Sequence, residues 1–177
     1  HNYCMSEKIL SSRRLVEKEK PLHFRDFIIT PFEVPHDGTD NVGYYIEYGT
    51  SAFAFATDLG HISDLVAQYL RRANYLVLEA NYDTEMLKQG NYPAHLKARI
   101  LKPNGHLSNA ETPEFLANNL TPELKYVFLC HLSRNNNHPE LAFKTVEYRL
   151  LEQGIKVGKD LQLVILKRHH TSDFYTF

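Results

Sequence analysis

Scarcities set the first bounds on this chain. Cysteine is nearly absent, with Cys4 and Cys130 far apart in sequence. That count argues against a disulfide framework or a zinc ribbon and makes a reducing, cytoplasmic setting the default expectation. No apolar run approaches the ~18 residues that a membrane-spanning helix needs, and no secretory apolar segment is visible. An excess of one charge is lacking too. The formal net charge is −1, so a polyanion-binding role would need a local basic patch. Internal repeats, low-complexity tracts and clear linkers are also missing.

What remains is ordinary in bulk. The chain has 177 residues, 43% hydrophobic and 23% charged, which suits a single soluble domain over 1–177 with a sizeable core. Histidine is the unusual count, at ten. His1, His23, His95, His169 and His170 fall in a tail, near a strand start, on a helix or in the polar C-terminal stretch, and read as surface or packing residues.

Periodicity gives the layout. Strands are expected over 26–34, 42–48, 52–57, 75–78, 126–130 and 161–166, the second and third forming a hairpin across Gly49-Thr50-Ser51. Helical spacing covers 62–72, 84–101 with a break at Gly90 to Pro93, 109–118 with Ser108 or Asn109 as N-cap, and 139–153 with Gly154 closing it. Strands alternating with helices indicate a layered α/β domain.

Polar clusters follow these apolar runs: Pro35-His36-Asp37, Thr57-Asp58-Leu59-Gly60, Glu79-Ala80-Asn81-Tyr82-Asp83, Gly105-His106-Leu107-Ser108-Asn109 and Cys130-His131-Leu132-Ser133. Each has an ordinary explanation when taken alone. Asp58 suits a turn or helix cap, Glu79 a surface pair, His131 a satisfied core histidine, and His36 and His106 loop chemistry. Together they place two imidazoles and two carboxylates at four strand exits, with His106 in a loop that opens a helix. Sites in layered α/β proteins form at such exits. Two His and one Asp, with a little help, could hold a divalent ion such as zinc or manganese.

The order of these motifs resembles the metallo-β-lactamase fold hydrolases, most closely the YycJ/WalJ-type branch. The most specific stretches are Val34-Pro35-His36-Asp37-Gly38-Thr39-Asp40-Asn41-Val42-Gly43-Tyr44, Ala56-Thr57-Asp58-Leu59-Gly60, Leu78-Glu79-Ala80-Asn81-Tyr82-Asp83, Gly105-His106-Leu107-Ser108-Asn109 and Leu129-Cys130-His131-Leu132-Ser133 with Asn135 to Ala142. The resemblance implies a four-layer αββα sandwich of the α/β (α+β) class. It implies a dinuclear site for zinc or manganese, with His36 and His131 each serving one ion and Asp58 bridging both. His106 would assist the leaving group, Glu79 would orient it, and Asn137 and His138 would line the substrate groove. The implied activity is that of a phosphodiesterase or nuclease on DNA, with exonuclease action at duplex ends. Lys88, Lys97, Arg99, Lys102 and Arg134 are candidates to follow the phosphate backbone.

One departure is large. The family's H-x-H-x-D-H signature, which supplies most metal ligands, does not occur in this sequence. The expectation is therefore of the C-terminal two-thirds of the fold. Such a piece alone would bind metal weakly and be inactive, and its core face would be covered by an upstream segment or a second copy. A hydrolase of a small ester, lactone or cyclic phosphate, and a non-catalytic interaction module, are the competing readings.

Overall fold

The computed structural model describes residues 14–176, so Cys4 lies outside the described residues. Seven strands form one sheet in sequence order: β1 (Leu22–Phe24), β2 (Phe27–Glu33), β3 (Val42–Tyr48), β4 (Ser51–Ala56), β5 (Tyr75–Glu79), β6 (Tyr126–Cys130) and β7 (Gln162–Ile165). The first four are antiparallel neighbours, and β4 to β7 run parallel. The change follows from the connections. Gly49, at φ 58°, turns the chain straight back between β3 and β4. Parallel neighbours need longer crossovers. These contain α1 (Asp64–Leu70) after β4, α2 (Thr84–Gln89), α3 (Ala94–Ile100) and α4 (Glu111–Asn119) after β5, and α5 (Pro139–Glu152) after β6.

Local chemistry sets the helix limits. Ser63 caps α1 by accepting from the Val66 amide, and Asp83 caps α2 by accepting from the Met86 amide. The break at Gly90 to Pro93 separates α2 from α3 as expected. Ser108 and Glu111 bond reciprocally at the entry to α4. The Glu111 carboxylate accepts from the Ser108 amide at 2.9 Å, and the Ser108 hydroxyl accepts from the Glu111 amide at 3.3 Å. This is the capping-box exchange that satisfies orphan amides. Beyond α5, Gly154 takes φ 80°, and the amides of Gly154 and Ile155 bond back to Leu151 and Leu150. That left-handed closure favours glycine.

Alternation along the strands separates two faces. Phe32, Ala54, Ala56, Leu76, Leu78, Val127, Leu129 and Leu163 face the helices and are buried with Val66, Tyr69, Leu70, Leu116, Val146 and Leu150. The alanines of β4 leave room for α1. The other face is aromatic: Phe53 stacks on Tyr75, Tyr126 on Phe128, and Tyr175 meets the last two edge-on. The described residues therefore build one sheet with helices over one face. The four-layer arrangement needs two sheets, and the described residues form a single one. β1 was not legible in advance, because three residues are too few to show a period.

Topology places the site. β2 has the same direction as β4, being two antiparallel steps away. The C-terminal ends of β2, β4, β5 and β6 consequently meet along one rim. Leu129 lies at its base, fully buried. Leu129→Ala should lower stability by about 2–5 kcal/mol, read as a reduced denaturant midpoint with an unchanged slope.

Candidate active site at the strand-end rim

The rim gathers five of the residues singled out in the sequence. His36 follows β2, Asp58 follows β4, Glu79 ends β5 and His131 follows β6. His106 arrives on the loop before α4. Backbone ties hold these loops together: the Gly60 amide donates to Pro35 O at 2.7 Å, and the Asn81 amide to Leu107 O at 2.8 Å. A Cβ on Gly60 would lie 2.2 Å from Pro103 O, so that close approach requires glycine.

Glu79 organises the interior of the cluster. Its side chain is fully buried. Oε1 accepts from His106 Nδ1 at 2.7 Å, while Oε2 accepts from the Leu59 amide at 2.8 Å and lies 3.3 Å from His131 Nδ1. One carboxylate thus orients two imidazoles and fixes the backbone next to Asp58. Burial alone would push its carboxyl up. The hydrogen bonds and charges of His106 and His131 outweigh that and hold it below the ordinary value. The bond to Glu79 raises His131 against the opposing effect of its own burial.

The tautomers follow from these partners. His36 Nδ1 lies 2.8 Å from Gly105 O, and a carbonyl can only accept, so Nδ1 carries the proton. His106 must likewise present Nδ1–H to the carboxylate. The Nε2 atoms then remain as lone-pair donors. His36 Nε2 and His131 Nε2 each lie 3.6 Å from Asp58 Oδ1. Two ligand atoms held about 2.1 Å from one ion at a tetrahedral angle lie about 3.4 Å apart. The donor atoms of His36, Asp58 and His106, and those of Glu79, His106 and His131, fall within 4.8 Å of one another. Anchored imidazoles around a carboxylate suit a divalent ion such as zinc or manganese, so the residues fit the implied group.

Backbone strain marks the same positions. Asp58 and His131 adopt φ 51° and 56°, a left-handed conformation costing about 1–2 kcal/mol for a residue with a side chain. Such strain at two strand tips is expected where side-chain aim matters more than stability.

The cleft above the cluster has a volume of ≈ 510 Å³ and is also lined by Asp37, Tyr92, Arg99, Arg134, Asn135 and Arg168. A larger cavity, ≈ 720 Å³, lies along α5 beside Tyr148 and Leu151, away from the histidines. Chemistry, rather than size, selects the smaller one. Asn137 and His138 do not line it. Asn137 is buried, its amide donating to Ala80 O, Asn81 O and Asn109 Oδ1, while His138 precedes α5 as its exposed N-cap residue. Asn137 thus ties the loops after β5 and before α4 together beneath the cleft. Lys88 bonds Glu85, and Lys97 bonds Lys88 O. Neither they nor Lys102 line the cleft, whereas Arg99 and Arg134 do.

Sequence reasoning missed Arg168, left within the polar C-terminal stretch, and gave Asp37 no role. Arg168 lies just past β7, and parallel polarity puts it on the same rim. That polarity was the absent signal.

Comparisons with known proteins bear on the family and the fold. Residues 3–128 match the family model described as the beta-lactamase superfamily domain. The exodeoxyribonuclease YycJ of Bacillus anthracis is 36% identical over 140 residues, which make up 79% of this chain and 53% of that protein. The exodeoxyribonuclease WalJ of Streptococcus pneumoniae is 35% identical over 153 residues, 86% of this chain and 57% of that protein. This chain thus spans somewhat more than half the length of these curated relatives. Among solved structures, the metallo-beta-lactamase fold protein YhfI from Bacillus subtilis aligns with a TM-score of 0.57 at 16% identity, over 85% of this chain and 51% of that one.

Two measurements test the packing beneath the site. Asn137→Ala should cost at least about 2 kcal/mol by stranding the Ala80 carbonyl and the Asn109 amide, and His138→Ala should stay within about 0.5 kcal/mol. Burial, with the nearby Glu79 and Asp58 charges, pushes the Cys130 thiol up to about 12. In a Cys4→Ser protein, thiol labelling at pH 8 should therefore await unfolding; native-state labelling at the free-cysteine rate would contradict it.

Proposed function

Because the chain belongs to the beta-lactamase superfamily, with the metallo-β-lactamase fold, we propose that its rim cleft is the metal-dependent phosphodiesterase site of an exonuclease acting on DNA. The observation that carries this reading is the outward set of imidazole nitrogens around Asp58, each braced from behind by Glu79 or a carbonyl. The exodeoxyribonuclease names of the two curated relatives support DNA as the substrate.

In this reading His36, Asp58 and His131 hold two divalent ions, zinc or manganese, together with ligands from outside the described residues. Such ions supply Lewis acidity toward a phosphoryl oxygen and a source of nucleophilic water at neutral pH. The protein's own groups do the rest. Glu79 fixes the His106 ring with Nδ1–H inward, so Nε2 can carry a proton to the departing oxygen. When solvent has protonated Nε2, a leaving oxygen that takes that proton departs as an alcohol and the ring returns to its neutral form, ready to be protonated again. The walls supply Arg99, Arg134 and Arg168 as cations against the polyanion. No helix among the described residues is long and apolar enough to cross a membrane.

The test uses protein made from its complete reading frame. EDTA should abolish exonuclease activity on duplex DNA, and Mn²⁺ or Zn²⁺ should restore it; activity that survives chelation would sink the proposal. His106→Ala should lower kcat by roughly 10²–10⁴-fold with metal content preserved. Glu79→Gln should weaken metal affinity by about 10–100-fold, measured by competition with a chelating dye.

A further inference from the structure

Arg99 and Asp37 form an ion pair that crosses from the histidine loop to the cleft wall. Arg99 lies in the last turn of α3, and Asp37 is the residue after His36. Nε donates to Asp37 Oδ2 at 2.5 Å and Nη2 to Oδ1 at 2.8 Å. This pairing occupies one edge of the guanidinium. The other edge, Nη1 with the second Nη2 hydrogen, forms a further fork suited to two oxygens of a phosphate. The arginine is 59% exposed and lines the cleft beside His36 and His106.

Asp37 is anchored through Arg99. Its Oδ1 lies 3.6 Å from His36 Nε2, and both of its oxygens accept from Arg99. It can therefore hold the guanidinium at a fixed place relative to His36. Two more guanidiniums share the wall. Arg168 donates to Leu132 O at 3.0 Å. Arg134 has no hydrogen bond or ion pair among the described residues. The cleft thus presents three arginines in a chain whose net charge is −1.

We propose that Arg99, held by Asp37, is the bidentate anchor for a backbone phosphate next to the scissile one, and that Asp37 is its positioning residue. This rests on the phosphodiesterase reading of the same cleft and names the residue that registers the strand against the histidines. Arg134 and Arg168 extend the anion track as point charges, without the carboxylate brace.

The experiment compares wild type, Arg99→Gln, Arg99→Lys and Asp37→Asn in the metal-loaded protein from its complete reading frame. Kinetics are measured on duplex DNA, and binding of the same duplex is followed by fluorescence anisotropy in EDTA over a salt series. Arg99→Gln should raise KM roughly tenfold, more than it lowers kcat, and reduce the log–log salt slope by about 0.9 for one lost phosphate contact. Arg99→Lys should keep the slope but not the KM, since charge survives and the fork does not. Asp37→Asn should raise KM with the slope intact. DNA that is bound with an Arg99-dependent slope but not cut would sink only the hydrolytic reading. DNA that is cut with KM and slope indifferent to Arg99 would overturn the arginine assignment alone, and DNA neither cut nor bound would overturn both. A fall in kcat for Arg99→Gln with unchanged KM and slope, and metal content also reduced, would mark Arg99 as a merely structural brace and overturn the proposal.

Discussion

A single buried carboxylate constrains the whole rim. Glu79 sits at the end of a central parallel strand with no solvent exposure, and it satisfies two histidines and a backbone amide at once. An ionised carboxylate without partners in such a place would cost several kcal/mol. The partners are therefore not optional, and β4, β6 and the loop before α4 must close around it for the core to be stable. The strand-end loops and the core are energetically one unit. Even the backbone oxygen of Glu79 is used, accepting from the Thr112 hydroxyl at 2.8 Å, which carries the constraint into α4.

Much of this was legible in the sequence because it is written locally. The continuous apolar runs at 75–78 and 126–130 gave the two central strands, and the Ser108–Glu111 spacing gave the entry to α4. Gly154 gave the close of α5, and the histidines and carboxylates after each strand gave the site's membership. What escaped was whatever depends on which way neighbouring strands run or on who bonds whom across the fold. Arg168 is distant in sequence from every other cleft residue and reaches them through the parallel pairing of β6 and β7. The amide of Asn137 bonds Ala80, Asn81 and Asn109 across the fold, a set of partners its sequence neighbours do not announce. No local pattern distinguishes an asparagine that faces a ligand from one that ties two loops.

Glu79 also illustrates the limit of a pairwise reading. The motif order suggested a partner for His106, and the structure adds His131 and the Leu59 amide. A group with two acceptor oxygens and no solvent has several sites to fill, so a second and third partner follow from burial. Burial is the quantity a single sequence reveals least.

The left-handed backbone at Asp58 and His131 narrows how this rim can change over generations. Aspartate, asparagine and histidine are the residues that, after glycine, enter that conformation most readily. Branched side chains are poorly tolerated there, so Thr or Val is closed to both positions by the main chain before any chemistry is considered. The remaining short steps lead to Asn or Gly at the strand tips, and these keep the fold while removing the Asp58 carboxylate or the His131 imidazole. A lineage that stopped using the cleft could therefore become a binding scaffold through a few cheap substitutions. A lineage that kept it would find the backbone itself favouring the same few residue types.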